Sequence, residues 1–167
     1  AMWMEFGGQR ILFDTGQTGI LRHNARQLGI SLGAADNIVL SHGHYDHTGG
    51  LAAVPLSEGS RQADVATTGI KPPERVRVFA HAQALTDKYV RRADGTSRDV
   101  GMPLYAREAL PRSADLRLVT GPTDICGSAF VTGPIPRLTD FEDTGGDFFK
   151  DAACKRPDDL VDDQALC

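Results

Sequence analysis

The sequence predicts an α/β layered fold on a mixed sheet, and three observations carry that prediction. Short apolar runs alternate along the chain with stretches of helical spacing. The first two runs, "WMEF" and "RILFD", flank "GGQ", which reads as a hairpin or a tight strand connection, and a hairpin there argues against a purely parallel sheet. The compact β-branched run "NIVLS" reads as a buried strand, and it feeds directly into "HGHYDHTGG".

The elements follow in order. After the hairpin, "TGILRHNARQLGI" places Ile20, Leu21, Ala25 and Leu28 near helical spacing. Thr18 is the expected N-cap and Gly29 the expected C-terminal glycine. The strand "NIVLS" and its histidine loop come next, and "GGLAAVPL" predicts a short helix ended near Pro55. Residues 57–74 are polar, with Gly59, Gly69, Pro72 and Pro73, and read as a loop. "RVRVFA" alternates as a strand does, "AQALTDKYVRR" reads as helical, and "DGTSRDVGMP" is rich in turn residues. "LRLVT" and "CGSAFVTGPIP" read as two more strands. Residues 140–167 form an acidic, glycine-rich stretch, expected to be a flexible tail.

Length and composition narrow the function. The 167 residues fit one domain with a real core. A net charge of −4 leaves no basic surface, which argues against nucleic acid as a partner. No apolar run approaches ~18 residues, so no membrane span is expected. Cys126, Cys154 and Cys167 are odd in number and far apart, with no C-x-x-C pair, which points to a reducing cytoplasm.

Three of the five histidines fall within six positions: His42, His44 and His47, together with Asp46. Imidazole and carboxylate suit zinc and neighbouring first-row metals. A loop at the end of a buried strand is a rigid place to hold them. Spacing by two lets His42 and His44 turn to one side, and Asp46 and His47 reach a second ion. Asp14 ends the strand "RILFD" and can orient a ligating histidine or serve its own turn with Thr15 and Gly16. His81 follows a strand and is a candidate for lining the pocket, whereas His23 lies inside the first predicted helix. Arg137, in "GPIPR", is the candidate contact for an anionic substrate, because a guanidinium fork suits phosphate. Asp158, Asp159, Asp162 and Asp163 lack the spacing of a calcium loop and read as a solvated acidic segment.

Together, "LFDTG" and "SHGHYDHTGG" resemble the metallo-β-lactamase superfamily. "FDTGQTGILRHNARQLGI", "VFAHAQA", "GMP", "VTGPIPRLTDFE" and "DDLVDDQAL" resemble its 7,8-dihydropterin-6-yl-methyl-4-(β-D-ribofuranosyl)aminobenzene 5′-phosphate synthase-like branch. The resemblance implies an αββα sandwich, of which residues 1–167 form one partial domain, mainly the N-terminal half. It implies His42 and His44 as ligands of a first metal, Asp46 and His47 of a second, and Asp14 as their support. Zinc is the expected metal, one or two ions, with manganese or iron as alternatives. Asp46 would also orient the attacking water.

The implied activity is that of a metal-dependent hydrolase or related transferase on a small, anionic, phosphorylated or pterin-like molecule. The resemblance also implies further ligands from a second half, and no histidine follows His81. The chain is therefore expected to be truncated at both ends, chiefly at the C-terminal half, and to be completed by that half or by homo-oligomerisation. The alternative function is a catalytically incomplete fragment that binds metal weakly and associates with itself or a partner. A di-iron redox use of the same ligands would need a flavin domain, and none is visible.

Overall fold

In the computed structural model, β1 (Met2–Phe6) and β2 (Gln9–Phe13) form the expected antiparallel hairpin. Gly7 and Gly8 make its two-residue turn at φ +57° and +72°, the left-handed pair such a turn needs. The structure describes residues 1–65, 74–143 and 146–167, without the side chain of Asp64. Gly69, Pro72, Pro73 and part of "DTGGD" therefore lie outside the described residues.

The main sheet has the order β1, β2, β3 (Asn37–Val39), β4 (Arg77–Ala80) and β7 (Asp115–Leu118). All neighbours after the opening hairpin run parallel, with Leu12 beside Ile38, Ile38 beside Val78, and Val78 beside Leu116. The sheet is thus mixed, as predicted. Its inner strands read as continuous apolar runs because both faces are covered. On one face Leu12, Ile38, Leu40, Val78 and Ala80 join Ala25, Leu51, Ala106 and Leu110 in a core. On the other, Ile11, Val39 and Phe79 pack with Val119, Ile125, Ala129 and Val131.

Helix α1 (Ile20–Gln27) covers the first face. It ends as expected: Gly29 takes φ +69°, its N–H bonds to Arg26 O, and Ile30 N–H reaches back to Ala25 O. Its start differs slightly, since Gly19 occupies the cap position and Thr18 Oγ accepts only a long 3.4 Å bond from Ile20 N–H. The histidine loop contains the one-turn helix α2 (Tyr45–Thr48), followed by a 3₁₀ turn over Gly49–Ala53.

Three expectations are corrected. Residues 58–65, read as loop, form helix α3 (Glu58–Val65). Its polar sequence is held by tertiary contact, above all by buried Arg61, whose guanidinium bonds Ala35 O at 2.7 Å. The helix expected over 82–92 is instead a 3₁₀ turn, Ala82–Leu85, then strand β5 (Tyr89–Arg91). There, buried Lys88 draws the chain inward, and β5 pairs with β6 (Ser97–Asp99) and β10 (Phe148–Phe149). Finally, the acidic stretch is not simply solvated: Asp158 and Asp162 are buried. Both carboxylates bond the Lys88 ammonium, at 2.8 and 2.9 Å, which offsets their desolvation.

Helix α4 (Leu104–Ser113), which no sequence pattern announced, adds Ala106 and Leu110 to the first core. Of the two strands expected after α4, "LRLVT" appears as β7, and the run 126–136 holds only the two-residue β9 (Phe130–Val131). Its partner β8 (Thr123–Asp124) lies between the two runs and was not expected. No helix among the described residues is long and apolar enough to cross a membrane.

Candidate metal centre

The site forms where β2 and β3 end side by side. Asp14 follows β2 directly and adopts φ +54°, a left-handed conformation that aspartate tolerates better than most residues. Its N–H still donates to Val39 O at 2.8 Å, so the residue belongs to the sheet edge. The next residues stitch this turn to the histidine loop. Thr15 N–H and Thr15 Oγ both donate to His47 O, and Gly50 N–H donates to Gly16 O. Gly49 and Gly50 permit the approach, since a Cβ on either would lie 2.1 Å from the carbonyl oxygens of Gln17 and Thr15.

The Asp14 carboxylate organises the loop. One oxygen accepts Ser41 N–H at 2.8 Å; the other accepts Ser41 Oγ–H and His47 Nδ1–H, both at 2.7 Å. That bond raises the His47 pKa above its ordinary value, outweighing the opposing effect of burial. It also leaves His47 Nε2 on the side of Asp46, 3.7 Å from its carboxylate. Ser41 Oγ lies 3.1 Å from Nδ1 of both His42 and His47.

The three imidazoles cluster. His42 lies edge-on to His44 at 4.8 Å between centroids and 4.1 Å from His47. His44 is packed against the Phe148 ring at 4.5 Å, and its Nε2 is buried without a hydrogen-bond partner. Burial, then the neighbouring His42 and Lys88, pushes the His44 pKa down to about 4. Burial likewise lowers His42, and the charge of His47 adds to the effect. A neutral imidazole with an orphaned nitrogen is the form that binds a metal. Asp46 is the exposed member, with its side chain 52% accessible.

In kind, these donors fit zinc. In number they fall short: among the described residues, no group of three or more histidine, cysteine, aspartate or glutamate side chains is arranged to hold a metal ion. What converges is one cluster, with His42 beside both His44 and His47 and Asp46 beside His47.

The other candidates sit apart. His81 caps the 3₁₀ turn after β4, its Nδ1 accepting Gln83 N–H at 3.3 Å. The Arg137 guanidinium bonds Asp159 O and Leu160 O and forms an ion pair with Asp163. Asp163 in turn lies 3.6 Å from His42 Nδ1, so Arg137 reaches the loop through a carboxylate. Sequence reasoning missed Ser41, Lys88 and Gln164, and it read Asp162 as solvated. Ser41 had a signal, its place directly before the first histidine; Lys88 and Gln164 come from distant segments and had none that set them at the loop.

Comparisons with known proteins bear on the family and the fold. The family model described as the metallo-beta-lactamase superfamily matches residues 1–151. An uncharacterized protein of Methanocaldococcus jannaschii, MJ0448, is 35% identical over 164 residues, covering 96% of this chain and 54% of its own. The solved structure of Tm1679, described as a metal-dependent hydrolase of the beta-lactamase superfamily, superposes with a TM-score of 0.66 at 28% identity. That match covers 93% of this chain and 50% of the other. This chain thus spans about half the length of both relatives.

Proposed function

We propose that this chain, which belongs to the metallo-beta-lactamase superfamily, carries one half of the site of a metal-dependent hydrolase or related transferase. Taken by itself it is a half-site, which binds metal weakly and associates with the chain or domain that brings the remaining donors. The observation that carries this reading is that the clustered donors form, among the described residues, no group of three or more arranged to hold a metal ion. Catalytic zinc typically holds three protein ligands and a water, so a pair alone should bind it poorly.

Zinc in such a site supplies Lewis acidity and an activated water; manganese or iron would serve similarly. The chain's own residues prepare for that chemistry. Asp14 fixes the tautomer of His47 and turns Nε2 outward. Burial keeps His44 neutral, so its lone pair is available. Asp46, exposed beside His47, would orient that water. The substrate class, a small phosphorylated or pterin-like anion, rests on the resemblance of "TGPIPR" and "DDLVDDQAL" to the synthase-like branch. Association is supported by the apolar hollow formed by Met4, Phe6, Ile11, Ala129 and Leu166 beside the hairpin.

Metal content per chain, measured by plasma mass spectrometry after chelator-free gel filtration with in-line light scattering, tests the reading. The expected result is well below one equivalent of metal, a concentration-dependent mass, and weak zinc uptake that His44→Ala abolishes. One to two tightly held equivalents in a monomer would sink the half-site reading, and zinc uptake indifferent to His44→Ala would sink the metal reading.

A further inference from the structure

Residues 162–164 grip the backbone of the histidine loop from a distance of more than a hundred residues. Asp162 Oδ2 accepts Gly43 N–H at 2.8 Å. Gln164 N–H donates to Ser41 O at 2.9 Å, and Gln164 Nε2 donates to Leu40 O at 2.8 Å. These bonds fall on both sides of His42. Gly43 is also confined from its other side, since a Cβ there would lie 2.4 Å from Ala84 O. Gly43 sits between the two histidines, so its backbone angles set how the imidazoles face each other. The grip is itself anchored: the other Asp162 oxygen accepts from Lys88 Nζ at 2.9 Å, and Lys88 is held by Asp158 at 2.8 Å. All three side chains are almost fully buried. Buried ions add little to stability over an apolar filling of the same volume, so stability alone does not account for them.

We propose that Asp162 and Gln164 are positioning residues that set the mutual orientation of His42 and His44, with Lys88 anchoring Asp162 against Gly43. The proposal rests on the half-site reading for its purpose but not for its geometry. Asp158 supplies a matched control. Asp162→Asn and Asp158→Asn each remove one carboxylate charge from Lys88, and only Asp162 touches the loop.

Two readouts are taken on the whole chain: Co²⁺ affinity by absorption titration, and Gly43 amide hydrogen exchange without metal, compared with global stability. Asp162→Asn is expected to weaken Co²⁺ binding by about tenfold or more. It should also speed Gly43 exchange about tenfold beyond its effect on global unfolding, whereas Asp158→Asn changes both by less than about twofold. Equal effects of the two variants, or none from either, would overturn the proposal. Gln164→Ala, which removes no charge, should shift both readouts in the same direction and decides the matter if Asp162→Asn does not fold. If the unaltered chain takes up no Co²⁺, the metal reading fails, and Gly43 exchange alone still decides the positioning claim.

Discussion

Replacing Asp14 with alanine removes the acceptor shared by Ser41 N–H, Ser41 Oγ and His47 Nδ1. Two effects are expected together. The stranded Ser41 N–H should lower stability by about 1–3 kcal/mol, read from urea unfolding. Zinc uptake should weaken about 10- to 100-fold, read by calorimetry, because His47 loses the bond that fixes its ring. Unchanged zinc uptake in a destabilised variant would reduce Asp14 to a turn residue. That was one of the two roles the sequence allowed for it. The histidines and Asp46 were legible because they are adjacent in the chain, and Asp14 because it closes a strand. Lys88 was not: a lone lysine in "LTDKYV" looks like any surface cation, and its burial depends on two aspartates about seventy residues away.

At the scale of elements, the loop's position depends on how closely it packs on the Asp14 turn. Gly50→Ala forces a Cβ onto Thr15 O and should cost roughly 3 kcal/mol or more. Gly8→Ala, in the hairpin turn, meets nothing within 4 Å and should cost only about 1 kcal/mol for its left-handed backbone. Urea midpoints of the two variants check this, and equal losses would mean that the loop is not seated on the turn. The hairpin, α1, β3, β4 and β7 were all readable, since apolar period and glycine placement act locally. Helix α3 and strand β5 were not. Their residues take their conformation from what they touch: Arg61 from the Ala35 carbonyl, Tyr89–Arg91 from pairing with β6 and β10.

For the molecule as a whole, the buried ion group makes a distinct contribution to acid stability. Burial alone would raise the Asp162 pKa, but the charge and hydrogen bond of Lys88, with the Gly43 N–H, hold it below the ordinary 3.8. The carboxylate is therefore favoured in the folded state. Its contribution is complete above about pH 4 and is lost as pH falls through the lowered folded value. The difference in urea midpoint between the unaltered chain and Asp162→Asn should be steady at neutral pH and shrink below pH 4. A difference that stays constant to pH 2 would contradict this assignment. The mixed sheet was foreseeable from the alternation of runs, but the closing of residues 162–164 onto the histidine loop was not, since no sequence period encodes contacts between distant segments.

The Gly43–Asp162 bond joins positions 119 residues apart. Closing so long a loop carries an entropic penalty before any contact repays it, and chains dominated by such contacts fold slowly. During synthesis the histidines emerge early and must wait, unclasped, while more than a hundred residues follow. The hairpin, α1 and the parallel strands can be in place well before then. The histidine loop is thus made among the first segments of the chain and is set among the last.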